Sequence, residues 1–464
     1  MANIVTEISK YLMIILIAVY TFSCFTVFAH QSEDIQKSIL RRQNAIMFMI
    51  HFLAFLAMFL KTRELKLLLF YAMQVALFAA VILLYTIIYP KVSRLVVNNM
   101  CMLLAIGFIM LTRLKYEKAM KQFIIAAGAV AVSLIVPVII RKVKFLANLR
   151  TLYGIIGVIA LLAVIVVGQV SYGANLGFTI AGISVQPSEL VKIIFVFFVA
   201  ASFKRSTSFK NVVVTTAVAA AHVLILVVSK DLGAAVIIFV VYMVMLYVAT
   251  RQPLYMIAGL GAGSVASVIA YHLFSHVKTR VVVWQDPFAS YETGGYQVAQ
   301  SLFAIGTGGW FGMGLFQGAP NTIPVAEEDF IFSAISEEMG LIFALCLILI
   351  CLSCYVMFLN IAMELHDKFY KLVALGLGTC YIFQVFLTIG GVTKFIPSTG
   401  VTLPLVSYGG SSLLSTLIMF GIIQGLYILR EDEEEIIERK RERRQQQKGR
   451  GRDRNIRSAR RIRK

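Results

Sequence analysis

The densest group of residues that could perform acid–base chemistry lies where a long polar loop meets an apolar run. Glu327, Glu328 and Asp329 are followed by Glu337 and Glu338 in the sequence EEDFIFSAISEEMG. Neighbouring carboxylates raise one another's pKa values, and a carboxyl group with a raised pKa suits general-base catalysis. Helix capping would need only one acid here, whereas the chain supplies five.

A second polar segment, TKFIPSTGVTLPLVSYGGSS, precedes the last apolar run. Its prolines and glycines prevent a continuous helix, and broken backbone at membrane depth is tolerated where it is buried in protein or lines a wet cavity. Cation and hydroxyl donors of this kind would suit a phosphate group. The donors are Lys394, Ser398, Thr399, Thr402 and Ser407.

Two further sites place ionisable residues beside apolar runs, where such groups are costly and often functional. In QPSELVK, Glu189 and Lys192 are three residues apart and share one helical face. A local ion pair behind a proline-started helix explains them equally well. Asp231 opens another apolar run in KDLG, where it could simply cap the helix.

The elements that must position these residues are membrane helices. The chain has 464 residues, of which 59% are hydrophobic, and its mean hydropathy is +0.83. Continuous apolar blocks of about twenty residues predict an all-α polytopic membrane protein rather than a β-barrel. We predict thirteen spans, near 10–29, 44–60, 67–89, 97–112, 122–140, 151–170, 188–203, 211–229, 232–250, 255–275, 330–359, 370–390 and 411–429.

Loop charges predict the sidedness of these spans. The basic connections 141–150 and 204–210 and the charged tail 431–464 fall on one side, which should be cytoplasmic. The loops 171–187, 276–329 and 391–410 then face outward together, which suggests a shared extracytoplasmic site. The side of the N-terminus stays open, because the first three spans carry similar positive charge on both flanks.

The net charge is +19, and the C-terminal tail is first acidic and then strongly basic, with 14 Lys and Arg against two acids in residues 439–464. We expect this tail to be disordered and to touch anionic membrane lipids. We expect no nucleic-acid partner, since no nucleic-acid-binding fold accompanies the charge. The six cysteines lie in or beside apolar runs, so we read the Cys351–Cys354 CxxC pattern as packing and expect no disulfide framework. The histidines do not cluster as zinc ligands would.

Several motifs, in their order and spacing, make this sequence resemble the SEDS family, the FtsW/RodA/SpoVE type of cell-wall proteins. The motifs are QPSELVK, DLGAAVIIFVVYMVMLYVA, GYQVAQSLFAIGTGGWFGMGLFQG, DFIFSAISEEMG and TGVTLPLVSYGGSS. The resemblance covers about residues 97–430. It implies a ten-helix core at 97–430, preceded by extra transmembrane segments in 1–96, with a large outer loop at 276–329.

The resemblance also implies a function. Members polymerise peptidoglycan glycan strands from lipid II, during division, elongation or sporulation, alongside a class B penicillin-binding protein that acts as transpeptidase. The family's essential acid aligns with Asp329, as catalytic residue. Its other recurrent positions align with Gln186, Glu189, Lys192, Asp231, Arg280, Gly306, Glu338, Pro404, Ser407 and Gly409.

From this resemblance we expect an inverting glycosyl transfer with Asp329 as general base. Expected substrate and pyrophosphate contacts are Arg280, Lys394, Lys192, Glu189, Ser407 and Thr399. Expected supporting residues are Gln186, Asp231, Glu338, Pro404 and Gly409. No cofactor is required by this scheme, although a divalent cation, Mg²⁺ or Mn²⁺, could share the leaving-group charge.

The sequence departs from the family pattern in two places. Pro324-Val325-Ala326-Glu327-Glu328-Asp329 stands where the family commonly has Pro-Glu-Ala-His-Thr-Asp, so the Asp is kept but three neighbours differ. Leu176 and Gly177 stand where an Arg-Trp pair is usual. Two other readings stay open: a flippase or transporter of a lipid-linked precursor, and a non-catalytic scaffold that recruits partners through its tail.

Overall fold

A computed structural model describes residues 2–30, 32–167, 169–171, 174–180 and 183–462 of the chain. Apolar runs of this length become helices because a helix satisfies its own backbone hydrogen bonds. Sixteen α-helices are present in the described residues. They are α1 Ala2–Ala29, α2 Glu33–Thr62, α3 Leu65–Ile88, α4 Arg94–Leu114, α5 Tyr116–Lys142, α6 Arg150–Val167, α7 Pro187–Arg205, α8 Phe209–Val228, α9 Leu232–Thr250, α10 Pro253–Leu273, α11 Ser275–Gln285, α12 Tyr296–Gly308, α13 Ile331–Met339, α14 Leu341–Glu364, α15 Lys368–Val392 and α16 Gly410–Ile462.

Eleven of the described helices are long and apolar enough to cross a membrane, so the chain is a multi-pass membrane protein. Two of the predicted spans are not among these eleven helices. The span predicted at 151–170 corresponds to α6, which is shorter than the eleven, and the span predicted at 188–203 corresponds to α7, which carries four charged side chains. The most deeply placed helix is α4, whose membrane span is entirely buried. At the other extreme, the span of α10 has no buried residue.

The prediction of an irregular loop at 276–329 was wrong in part. Helix α11 and helix α12 lie within it, and α12 packs on α13. The single predicted span at 330–359 is also wrong, because Gly340 separates α13 from α14 with φ +89°. A Cβ at Gly340 would lie 2.4 Å from the backbone nitrogen of Gly312, so only glycine fits this break.

The predicted loop 171–187 contains part of a small antiparallel sheet. Its strands are β1 Gln169–Ser171, β2 Ala174–Ile180 and β3 Ile183–Val185, in the order β1-β2-β3. Phe178 pairs with Val185 and Ile180 pairs with Ile183. Residues 172–173 and 181–182 of the predicted loop lie outside the described part of the chain.

Long-range contacts settle which termini share a side of the bundle. The Lys10 ammonium at the start of α1 donates to the carbonyl of Gly312, 3.2 Å away, so α1 begins beside the 276–329 segment. On the opposite side, Asp432 accepts hydrogen bonds from Lys91 at 2.8 Å and from Arg141 at 2.7 Å. The start of α1 and the Asp432 region therefore lie at opposite ends of the bundle, as expected if α6 and α7 cross the membrane together with the eleven long apolar helices.

The tail 431–464 differs from its predicted disorder, since α16 continues the last span as helix up to Ile462. Glutamate and arginine residues are good helix formers and pair with each other along the helix, as Glu435 and Arg439 do at 3.6 Å. All six cysteines are buried free thiols.

Candidate active site

The acid predicted to be catalytic and an arginine both lie beside one glycine. Asp329 precedes α13, Arg280 lies on α11, and Gly400 belongs to the segment between α15 and α16. A Cβ at Gly400 would be 3.5 Å from Asp329 Oδ2 and 3.7 Å from Arg280 Nη2. The backbone at Gly400 has φ +72°, a region that favours glycine. The predicted loops 276–329 and 391–410 therefore meet at this point.

Helix α11 is attached to the 394–400 segment by two side chains, four residues apart on one face. Arg280 Nη1 donates to the carbonyl of Ser398 at 2.9 Å, and Trp284 Nε1 donates to the carbonyl of Lys394 at 3.1 Å. These bonds leave Arg280 Nη2 directed towards Gly400 and the carboxylate of Asp329.

The Asp329 side chain is partly exposed and, within the described residues, makes no hydrogen bond or ion pair. Its desolvated surroundings and the nearby Glu328 charge raise its pKa to about 6, against the opposing influence of Arg280. Burial lowers the pKa of Arg280, and the charges of Asp329 and Asp231 partly offset that effect. The expected raised pKa in the acidic cluster is confirmed at Asp329.

The other acids of the cluster have cationic or backbone partners. Lys115 and Lys118 at the start of α5 contact Glu327 Oε1 at 2.6 and 2.7 Å, and Lys118 also contacts Glu328 at 2.7 Å. Burial opposes ionisation of Glu327, but the two ammonium groups hold its pKa below the usual value. Among these three neighbours, Asp329 is the one without a direct partner in the described residues.

The deeper pair of acids holds the loop in place. Arg113, at the end of α4, contacts Glu338 Oε1 at 2.8 Å, and both side chains are at most 9% exposed. Glu337 Oε1 accepts from the backbone N–H of Ala319 at 2.8 Å. Glu338, predicted as a supporting residue, forms an ion pair that connects α13 with α4.

Ser407 braces the backbone beneath the cluster. Its hydroxyl accepts from the N–H of Leu403 at 2.9 Å and donates to the carbonyl of Glu328 at 2.5 Å. Gln122 joins the same region, donating to Ser407 O at 3.0 Å and accepting from the N–H of Gly409 at 3.3 Å. The single hydroxyl hydrogen of Ser407 is therefore already used, and its predicted contact with substrate stays a prediction.

Glu189 and Lys192 form a separate, buried network inside the bundle. Lys192 Nζ contacts Glu189 Oε1 at 2.9 Å and Gln384 Oε1 at 2.7 Å. Ser415 donates to Glu189 Oε2 at 2.9 Å, and Gln384 Nε2 donates to the carbonyl of Thr402 at 3.1 Å. The pair thus connects with the 391–410 segment through Gln384, and its charges already have partners.

Asp231 caps α9, as its position suggested, by accepting from the N–H of Ala234 at 3.1 Å. Its other oxygen accepts from Gln186 Nε2 at 3.1 Å and from the Ser188 hydroxyl at 2.8 Å. The charge of Asp231 also raises the pKa of Arg280, so Asp231 connects the site with the start of α7.

Two potential phosphate-binding groups lie in the 394–400 segment. Lys394 is half-exposed, with φ +60°, and its ammonium makes no ion pair within the described residues. The buried hydroxyl oxygen of Thr399 has no hydrogen-bond partner there either. Burial and the charges of Arg280 and Lys230 lower the pKa of His276, so both cations lie near it.

Sequence reasoning missed Arg113, Lys115 and Lys118 as parts of this region. The KYEK sequence after the fourth span was a usable signal, since its two lysines are three residues apart and share one helical face.

Pro404 lies buried in the turn before Ser407. No group of three or more His, Cys, Asp or Glu side chains suited to a metal ion occurs in the part of the chain that the structure describes.

Comparisons with known proteins agree with this architecture. The FtsW/RodA/SpoVE family model, described as "Cell cycle protein", matches residues 93–431. Peptidoglycan glycosyltransferase RodA of Mycobacterium leprae is 33% identical over 360 residues, covering 72% of this chain and 77% of the relative. A probable peptidoglycan glycosyltransferase FtsW of Aliivibrio salmonicida is 34% identical over 277 residues, covering 56% of this chain and 68% of the relative.

Solved structures share the fold. A chain from a study titled "Structural coordination of polymerization and crosslinking by a peptidoglycan synthase complex" superposes with TM-score 0.62 at 22% identity, covering 73% of this chain and 98% of that one. The rod shape determining protein RodA of Thermus thermophilus gives TM-score 0.53 at 21% identity, covering 72% and 96%. The family match spans well over half of the chain, and this protein belongs to the FtsW/RodA/SpoVE family.

Proposed function

We propose that this protein is a peptidoglycan glycosyltransferase that extends glycan strands from lipid II, with Asp329 as general base. The enzyme class rests on the family and on relatives that carry this activity in their names. The residue assignment rests on one observation: the partly exposed Asp329 carboxylate has no direct partner within the described residues, whereas Glu327, Glu328, Glu337 and Glu338 each contact a cation or a backbone N–H.

The proposed reaction is a single displacement. The acceptor's 4-hydroxyl gives its proton to the Asp329 carboxylate while its oxygen attacks the anomeric carbon of the donor. The bond between that carbon and the pyrophosphate oxygen breaks, and the electron pair leaves with undecaprenyl pyrophosphate. An α-linked donor then gives a β-linked product without a covalent enzyme intermediate.

The chain's own cations are suited to the charge that develops on the leaving group. Arg280 Nη2 faces the Asp329 side of Gly400, and the ammonium of Lys394 has no competing carboxylate in the described residues. The unpartnered hydroxyl of Thr399 would gain an acceptor from a phosphate oxygen. Binding of a divalent cation, Mg²⁺ or Mn²⁺, stays a prediction. The four glutamates of the cluster already contact other groups of the chain, so they do not single out a metal site.

We also propose the orientation and the partner. The side with the tail and most basic connections would face the cytoplasm, which puts Asp329 on the extracytoplasmic face. A class B penicillin-binding protein would supply crosslinking, by analogy with the synthase complex that shares the fold. Its contact surface on this chain is left unassigned.

Replacement of Asp329 by asparagine tests the proposal. Asp329→Asn keeps the side-chain shape and removes a charge whose burial is unfavourable, so the variant should fold. Glycan polymerisation from purified lipid II should fall by about 10²- to 10⁴-fold. Glu292→Gln, an exposed acid of the same loop, is the matched control and should stay active. Full activity of a folded Asp329→Asn would remove Asp329 as base.

A further inference from the structure

A cavity lies between the helices that precede the family-matched region and the first helix within it. It has a volume of about 190 Å³, which is room for roughly six water molecules at ~30 Å³ each. Its lining comes from α2, α3 and α4: Leu40, Arg41, Asn44, Ile82, Thr86, Arg94, Val97 and Asn98. None of these residues belongs to the proposed catalytic site.

The cavity is basic without a balancing acid. Arg41 and Arg94 both line it, and neither guanidinium makes a hydrogen bond or ion pair with any part of the chain that the structure describes. By contrast, Lys91 on the same side is neutralised, since it contacts Asp432 at 2.8 Å and Glu435 at 2.7 Å. The cavity therefore keeps two positive charges for a ligand from outside the chain.

The remaining lining matches a headgroup with attached hydrocarbon. Asn44 contributes a buried amide oxygen that has no hydrogen-bond partner, a polar atom that a bound group could satisfy. Leu40, Ile82 and Val97 contribute aliphatic walls, from which a free anion would gain nothing.

The height of the cavity in the bundle also fits a lipid. Arg94 begins α4, directly after the segment that contacts the charged tail through Lys91. Arg41 lies eight residues into α2, about 12 Å along the helix at ~1.5 Å per residue. Both groups thus lie near one end of the spans, where lipid phosphates are found, and Arg41 is exposed at the surface.

We propose that this cavity binds an anionic glycerophospholipid from the membrane leaflet on the side of the tail. Arg41 and Arg94 would hold the phosphate groups, and the acyl chains would continue outward along the exposed face of α3. Basic pockets between transmembrane helices bind such headgroups in this way. The bound lipid would connect α2 and α3 with α4, independently of the glycosyl transfer reaction.

Native mass spectrometry of the full chain in detergent, titrated with phosphatidylglycerol or phosphatidylcholine, tests this site. Phosphatidylglycerol should bind more tightly. Arg41→Ala and Arg94→Ala should each weaken it about fivefold, and the double variant about thirtyfold. Arg42→Ala removes the adjacent exposed arginine, which does not line the cavity, and should change binding less than twofold.

Two further arms keep the proposal open to contradiction. Ile82→Trp should fill the cavity and weaken binding while both arginines remain, so it covers the case in which an arginine variant fails to fold. Inorganic phosphate at the same concentration should not displace the lipid. Equal binding of the two lipids, an equal loss in Arg42→Ala, or displacement by inorganic phosphate would overturn the lipid site.

Discussion

Two carboxylate–cation arrangements in this molecule use similar residues for different purposes. Glu189 and Lys192 are buried, and both oxygens of Glu189 have partners, as does the ammonium of Lys192. Asp329 and Arg280 lie beside Gly400 without a direct bond, and Asp329 keeps an unsatisfied carboxylate with a pKa of about 6. A satisfied pair stabilises the bundle, whereas an unsatisfied carboxylate remains able to take up a proton.

The largest expected effect is the loss of activity in Asp329→Asn. The next largest should be a loss of stability when the buried pair of Glu189 and Lys192 is broken. Lys192→Met leaves Glu189 as a buried, uncompensated charge, which should cost about 3–5 kcal/mol of the free energy of unfolding. Thermal melting of the purified protein measures the loss. Glu189→Gln combined with Lys192→Met should recover much of it, and a double variant as unstable as the single one would contradict this account.

Variants at the site around Asp329 and Arg280 should lose turnover but little stability, unlike variants of the buried pair. Lys394→Ala should slow polymerisation on the order of tenfold, less than the ~10²–10³-fold of a buried oxyanion donor, because the ammonium is half-exposed. Lys278→Ala, an exposed lysine on α11, is the matched control. Parallel losses of activity and melting temperature in Lys394→Ala would indicate a folding role.

The acid limb of the pH profile should follow Asp329. The base must be ionised to accept a proton, so kcat/KM should be level above the pKa of about 6 and fall about tenfold per pH unit below it. Initial rates of glycan synthesis between pH 5 and pH 8, in controlled ionic strength, check this. A profile that stays flat down to pH 5 would exclude this carboxyl group as the rate-controlling base.

The smallest expected effect is a shift of that limb. Glu328 raises the pKa of Asp329 by charge repulsion, so Glu328→Gln should lower it and move the limb to lower pH by less than one unit. The same pH series measures the shift. A limb that moves to higher pH would contradict the charge repulsion between Glu328 and Asp329.

Local sequence was least informative in the glycine-rich segment 276–329. The YQVAQSLFAIGTG sequence looked like loop because it carries glycines, yet it forms α12. Packing against α13 overrides the weak local propensity, and a 2.6 Å hydrogen bond between the Ser301 and Ser333 hydroxyls joins the two helices. The break at Gly340 was hidden for a related reason, since hydrophobicity continues across it.

The sequence by itself determined the membrane class and the approximate positions of the spans, and its resemblance to the family indicated Asp329 as the acid to test. Those features are encoded locally, in hydrophobic runs and in short motifs. Only the tertiary structure decided which acids are neutralised and which one is left open, because the partners are far apart along the chain. Lys115 and Glu327 are 212 residues apart, and no local periodicity encodes a contact at that separation.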